Sequence, residues 1–352
     1  MILKTTLFIL ISLFPLLTDA STIKEDDISA FSPVIIKSTT NRDETNNGDY
    51  FIANDMAKGF SLLGLKTDID YRTEYHKTHA SPPKLNIYMR GYTKFHSPFG
   101  NNTNLLYIYY PLLFDKNSAK KDKKSFLNSR SPMPQNSNLD DDLKNFDIIA
   151  VASSSYTETL NKNGINAIYI PQFTNPTKFY PNPKEELKTD ILFVGSNWHD
   201  RTSLRYAIEL GYDVSVYGYN WQNIISPKMY KAMYIPNNIL NQYYSSAKIV
   251  LNDHRPDMKE FGFINNRIFD ATASGALVIS DYMKEIEDIY QDCIPMYKTK
   301  EDLKNLIDYY LKNEDKRQEK AICAQQITLK EYTNTAIAKK IINHLKSQKK
   351  GD

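Results

Sequence analysis

Between Tyr50 and Leu63 the apolar residues Phe51, Ile52, Met56, Phe60 and Leu63 recur at intervals of three and four, the spacing of one helix face. Gly48-Asp49 stands at the start of this helix and Gly64 stops it. The short apolar run Val34-Ile35-Ile36 before it and the segment Leu65 to Tyr71 after it read as strands. The rhythm continues with strands at Leu85 to Met89, Leu105 to Tyr110 and Phe146 to Val151, a helix at Ser154 to Asn163 closed by Gly164, and a strand at Ala167 to Ile170. Strands alternating with helices predict a parallel sheet.

Two stretches break the rhythm. Asp115 to Asp142 is rich in Lys, Ser, Asn, Asp and Pro and has little to bury, so it reads as an exposed loop. Pro171, Pro176, Pro181 and Pro183 resist both helix and central strand, which marks a linker. After it the pattern restarts: strand Asp190 to Val194, helix Arg201 to Leu210, strand Asp213 to Tyr217, helix Ile239 to Ser246, strand Lys248 to Leu251, helix Asn265 to Ala273 and strand Ala276 to Ser280. Lys300 to Lys349 is a helical tail. The organisation that follows is α/β: two Rossmann-like, doubly wound domains at 30–170 and 187–330, a linker at 171–186 and a C-terminal helix at 331–352.

The first twenty residues change the picture of where the protein works. Lys4, an apolar run from Leu7 to Leu17 and Thr18-Asp19-Ala20 read as a signal peptide cleaved after Ala20, or as a membrane anchor if cleavage fails. The expectation is an exported protein, or one that meets a membrane only through residues 1–20. The net charge of +3, from 44 basic and 41 acidic residues with no basic stripe, argues against a nucleic-acid partner. Cys293 and Cys323, the two cysteines, either pair or stay as inert thiols. Six scattered histidines show no metal-ligand spacing, and Asp140-Asp141-Asp142 reads as the solvated start of a helix, so no metal site is expected.

Ligands of open parallel sheets bind beyond the carboxyl ends of the strands, and with two sheets in series the cleft between them becomes the default site. The richest strand-end segment runs from Asn252 to Asp270. Gly262 is expected at a helix start, where free backbone amides attract phosphate. Asn266 and Asp270 share a face one turn apart, with Arg267 beside them. Arg267 suits a bidentate phosphate grip and Asp270 suits ribose hydroxyls; the same residues equally form a solvated face or an internal salt bridge. Arg201 is a second diphosphate candidate. Trp221, after a strand, either stacks on a base or is a structural tryptophan. Asp49 is either a general base for an acceptor hydroxyl or a helix cap, and Arg90 and His96 are further acceptor-side candidates.

FGFINNRIFDATASGALVISD, from Phe261 to Asp281, resembles the donor-binding segment of GT-B glycosyltransferases of the group 1 and spore-protein (CgeB-like) families. DILFVGSNWHDR (Asp190 to Arg201), VSVYGYNW (Val214 to Trp221) and IYIPQFTNPTKFYP (Ile168 to Pro181) resemble the opening of the same domain and the crossing into it. GDYFIANDMAKGFSLLGLKT, Gly48 to Thr67, extends the likeness loosely to the first half. The resemblance implies two domains facing each other across a cleft and a hexosyltransferase-like enzyme. It implies a nucleotide sugar as donor, with no cofactor and no metal, and Gly195, Arg201, Trp221, Gly262, Phe263, Asn266, Arg267 and Asp270 as donor-binding residues. Its acceptor is an unspecified glycan, lipid or protein. One departure matters: the retaining group carries glutamates eight positions apart, and eight before Asp270 stands Gly262, so stereochemistry does not carry over.

An export signal fits poorly with a cytoplasmic nucleotide-sugar donor. The competing reading is an exported two-domain solute- or carbohydrate-binding protein without catalysis, which needs no Asn, Arg and Asp on one helix. A transferase fold that has lost its chemistry is a third reading.

Overall fold

A computed structural model of the chain describes residues 28–91, 98, 102–111 and 143–349; the leader-like residues 1–20, the polar segment 115–142 and His96 lie outside them. Six strands form the first sheet: β1 (Val34–Lys37), β2 (Thr67–Asp70), β3 (Leu85–Arg90), β4 (Thr103–Ile108), β5 (Ile148–Val151) and β6 (Ala167–Tyr169). They pair in parallel in the order β2-β1-β3-β4-β5-β6. Every residue of β1, β3 and β5 is buried, the expected texture of parallel strands covered on both faces. Among the described residues α1 (Gly48–Leu62) and α2 (Ser154–Lys162) flank it. Their caps are Asn47, whose side chain accepts from the amide of Asp49, and Ser153, whose side chain accepts from the amide of Tyr156. Asp49 is therefore not the cap of its helix.

The second sheet consists of β7 (Thr189–Val194), β8 (Ser215–Tyr217), β9 (Tyr230–Ala232), β10 (Ala247–Asn252), β11 (Val278–Asp281) and β12 (Met296–Tyr297), in the order β12-β11-β10-β7-β8-β9. These strands also run parallel. Around them lie α3 (Thr202–Glu209), α4 (Leu240–Ser246), α5 (Pro256–Glu260), α6 (Asn266–Ala273), α7 (Lys284–Tyr290), α8 (Lys300–Lys312) and α9 (Glu314–Glu331). Alternate residues of β7 point to opposite faces. Leu192 joins an apolar layer with Ile268 and Phe269 of α6, and Phe193 joins the other with Leu303 and Ile307 of α8.

The last helix, α10 (Asn334–Lys349), leaves the second half and packs on α1. Ile337, Ile341 and Ile342 lie in one core with Met56 and Phe60 of α1, and Met258 and Phe263 enter that core from the second half. Polar contacts also join the halves: Ser153 Oγ donates to the carbonyl of Phe261 at 2.7 Å, and Ser155 Oγ to Glu285 Oε1 at 2.6 Å. Asn334 Nδ2 donates to the carbonyl of Asp55 at 3.0 Å.

Candidate functional site

In the second sheet the strand order reverses between β7 and β10, and at such a reversal the loops leaving the two neighbours part at the carboxyl ends, the general position of a ligand crevice in open parallel sheets. The segments concerned are Gly195 to Arg201 and the stretch from Asp253 to Asn265. Phe193, near the end of β7, is fully buried, and both the Arg201 and Arg267 guanidiniums lie over its ring, at 5.8 and 5.6 Å from the centroid. Gly195 makes this possible, since a Cβ there would stand 2.9 Å from Arg267 Nη2.

Each arginine is held from behind. Arg267 Nη1 donates to Asn252 Oδ1 at 2.7 Å. Arg201 donates through Nε to the carbonyl of Ser196 at 3.0 Å and through Nη1 to Asp253 Oδ1 at 3.2 Å. The other oxygen of Asp253 accepts from the amide and hydroxyl of Ser203, anchoring the first turn of α3. Burial pushes the Arg201 guanidinium down to about 10, with Arg267 adding to the fall and Asp253 opposing it, so it remains charged near neutrality. A third cation, Arg255, pairs with Asp257 at 3.2 Å and lies over the ring of Tyr110, whose hydroxyl donates to Asp257 from the first half. Among these cations sits His199, whose two ring nitrogens are buried without hydrogen-bond partners. Burial, then Arg201 and Arg255, push its imidazole down to about 3.

The other residues named from sequence fall elsewhere. Trp221 is buried, donates from Nε1 to the carbonyl of Gly195 at 2.7 Å and meets Phe193 edge-on, so it braces the loop rather than offering a face to a base. The exposed tryptophan is Trp198, at 70%. Phe263 is fully buried against Tyr156 of α2, with ring centroids 5.3 Å apart. Gly262 does not open a helix: α6 starts at Asn266, and Gly262 lies in the turn after α5. Its φ is +71°, and a Cβ there would run into Ser155 Oγ and Glu285 Oε1. That glycine serves the meeting of the two halves.

Asn266 and Asp270 do share a face, with Nδ2 of the first donating to Oδ2 of the second at 2.8 Å. The other Asp270 oxygen accepts from Thr174 Oγ1 of the crossing segment, also at 2.8 Å. Both oxygens of Asp270 are thus occupied within the chain. Burial, with the nearby Asp55 adding to it, pushes this carboxyl up to about 8 against the opposing Thr174 and Asn266 hydrogen bonds. Asp55 itself is held by Lys178 at 2.6 Å and by Asn175 at 2.7 Å, which completes a polar knot between α1, the crossing segment and α6.

In the first sheet the order reverses between β1 and β3, and there Asp49 is found. It accepts from Thr39 Oγ1 at 3.2 Å, and its carboxylate abuts Gly91 just after β3. Burial pushes this carboxyl up, opposed by the Tyr109 and Thr39 hydroxyls. Arg90 is buried beside it, and burial pushes its guanidinium down.

Among the described residues, Asp68, Asp70 and His79 form the one group whose ligand atoms lie close enough for a metal ion. It sits by β2 at the edge of the first sheet, and its carboxylates are paired already, Asp70 with Lys37 at 2.6 Å and Asp68 with Lys77 at 2.8 Å.

His199, Arg255, Asn252 and Asp253 were not singled out from the sequence. The strand-end segments that carry them were, but choosing side chains within such a segment requires the strand order, which puts β10 beside β7 across more than fifty residues of chain.

Residues 189–343 match the model of a family described as glycosyl transferase-like. Spore protein CgeB of Bacillus subtilis is 26% identical over 187 residues, which are 48% of this chain and 58% of that protein; the match thus spans little more than half of the relative. Among solved structures, a sucrose-phosphate synthase from Thermosynechococcus elongatus superposes with a TM-score of 0.60 at 12% identity, covering 91% of this chain and 100% of that one. HepE of Anabaena, in complex with UDP and glucose, gives 0.58 at 10% identity, covering 89% and 99%.

Proposed function

We propose that the protein transfers a sugar from a nucleotide-sugar donor to an acceptor hydroxyl, a reading supported by the match of residues 189–343 to the glycosyl transferase-like family, by the likeness to CgeB and by the GT-B fold. The observation that carries this reading is the convergence of Arg201 and Arg267 on Phe193 at the reversal point of the second sheet. Two fixed guanidiniums held from behind, in a crevice with restricted solvent, match the charge of a diphosphate. HepE, of the same fold, is seen in complex with UDP and glucose, which supports a nucleotide ligand for this chain.

In the reaction the bond from the anomeric carbon to the diphosphate oxygen breaks, and the acceptor oxygen bonds to that carbon. The electron pair goes to the diphosphate, where Arg201 and Arg267 stabilise it. These side chains supply the charge that a divalent ion provides elsewhere, so the transfer is proposed to be metal-independent and to need no cofactor. If the sugar inverts, a base must take the acceptor proton. Asp49 suits that part: it stands at the reversal point of the facing sheet, it is not needed as a cap, and burial raises its proton affinity. The leader-like residues 1–20 and the Cys293–Cys323 disulfide favour an oxidising compartment or a membrane surface as the place of work.

The test is thermal unfolding of the chain lacking residues 1–20 against a panel of nucleotides and nucleotide sugars, repeated with Arg267→Ala. A ligand at a hundred times its dissociation constant stabilises by about 2.7 kcal/mol. A shift by one nucleotide sugar that Arg267→Ala abolishes supports the donor site. Shifts by free sugars or other solutes alone would replace this reading with that of an exported binding protein.

A further inference from the structure

The arginine cluster leaves one side chain without a structural task. His199 stands in the loop after β7, two residues before Arg201. Its neighbours include Asp200 and Arg201 on its own loop, Arg255 and Asp257 around the start of α5, and Arg267 on α6. Arg201 and Arg255 each have a carboxylate partner, whereas Arg267 is held by the neutral amide of Asn252. Buried polar atoms are normally hydrogen-bonded, and leaving one unmatched costs about 1–3 kcal/mol. Both nitrogens of His199 are buried and unmatched. An imidazole in this position accepts no hydrogen bond from its neighbours, and as a cation it would meet three others. An anion entering the crevice would offer it an acceptor and offset the surrounding positive charge.

We propose that His199 is a further donor-site residue, which binds the diphosphate of the nucleotide sugar as an imidazolium and takes up one proton as the donor enters. This rests on the donor-site reading above and adds a residue and a proton to it. In the free protein burial, reinforced by the neighbouring cations, holds His199 neutral at physiological pH, consistent with the fall to about 3. A diphosphate cancels their field and offers an acceptor to an N–H, so the proton that was disfavoured becomes favoured. The sign follows: binding is accompanied by proton uptake, and affinity falls as pH rises through the value that His199 has in the complex.

The experiment is calorimetric titration of the chain lacking residues 1–20 with UDP-glucose, whose diphosphate has no group titrating near neutrality, in two buffers of different ionisation enthalpy, for the wild type and His199→Gln. The wild type is expected to take up close to one proton per UDP-glucose bound near pH 7. His199→Gln is expected to take up none and to bind roughly 10- to 100-fold more weakly. Its affinity should stay flat across the pH range in which that of the wild type falls. Binding by the wild type without proton uptake, or the same uptake by His199→Gln, overturns the proposal and leaves the donor site standing. Failure of UDP-glucose and of every other nucleotide sugar in the panel to bind overturns both.

Discussion

Arg201, from the loop after β7, and Arg267, from the first turn of α6, place their guanidiniums over the same Phe193 ring at 5.8 and 5.6 Å. Each makes the other less comfortable, and the repulsion depresses Arg201 below its ordinary proton affinity in addition to the effect of burial. Such a pair is a cost in the free protein and an asset when an anion lies between its members. Arg267→Ala is therefore expected to separate stability from binding. Unfolding of the free protein should change by no more than about 1 kcal/mol, because the lost bond to Asn252 is offset by relief of Arg201. Affinity for the nucleotide sugar should fall by roughly 10- to 100-fold. Denaturant melts and calorimetry on the same preparation check both. A variant that loses several kcal/mol of stability would show that Arg267 is there for the fold.

Asp270 gives a prediction about pH. In the folded chain its carboxyl is pushed up to about 8, while in an unfolded chain an aspartate sits near 3.9. Between these values the folded state holds a proton that the unfolded state has lost. The contribution of Asp270 to stability is thus greatest below the lower value, drains away as pH rises through the window, and levels off above about pH 8. Asp270→Asn keeps the shape and removes the titration. Measured by urea unfolding, the stability of Asp270→Asn relative to wild type should grow from about pH 5 to about pH 8 and then stop growing. A constant difference would mean that Lys178 keeps Asp270 ionised.

The return of α10 to the first half can be tested at Ile342, which is fully buried in one core with Met56 and Phe60 although nearly three hundred residues separate them in sequence. Ile342→Ala removes methylenes from a packed site and is expected to cost about 2–5 kcal/mol. A chain ending at Glu331 lacks Ile337, Ile341 and Ile342 together, and should show a first half that is expanded and protease-sensitive. Equal stability of the full and shortened chains would rule out α10 as part of that core.

The buried strands β1, β3, β5, β7 and β10 were legible because each is a short apolar run between turn residues, and α1 because its apolar residues keep a helical period. The edge strands β9 and β12, of three and two residues, carry too little pattern to be seen. At the site, spacing along α6 brought Asn266 and Asp270 together, since one helical turn is a local fact. It could not reveal that Thr174 occupies the remaining oxygen of Asp270, or that Trp221 and Phe263 are buried, because those depend on what packs against them. Gly262 was misplaced for a similar reason. The helix starts four residues later, and the constraint on that glycine comes from Ser155 and Glu285 in other elements.

The Cys293–Cys323 disulfide separates the stability of the second half from its chemistry. Its Cα atoms are 5.5 Å apart, within the ordinary range, and it closes a span of 30 residues between the loop after α7 and α9. A cross-link over a loop of that length removes unfolded-state entropy worth about 3–4 kcal/mol. Cys293 precedes β12, so in an all-parallel sheet it stands at the amino end, whereas Arg201, Arg267 and His199 lie by the carboxyl ends of β7 and β10. Reduction, or Cys323→Ser, is therefore expected to lower the unfolding free energy by about 2–4 kcal/mol while leaving nucleotide-sugar affinity within about two-fold at a temperature where the protein stays folded. Denaturant unfolding and calorimetry with and without reductant give the two numbers. If affinity and stability fall together in the folded protein, the disulfide holds the crevice in shape through the sheet, and the two ends of the second half are not independent.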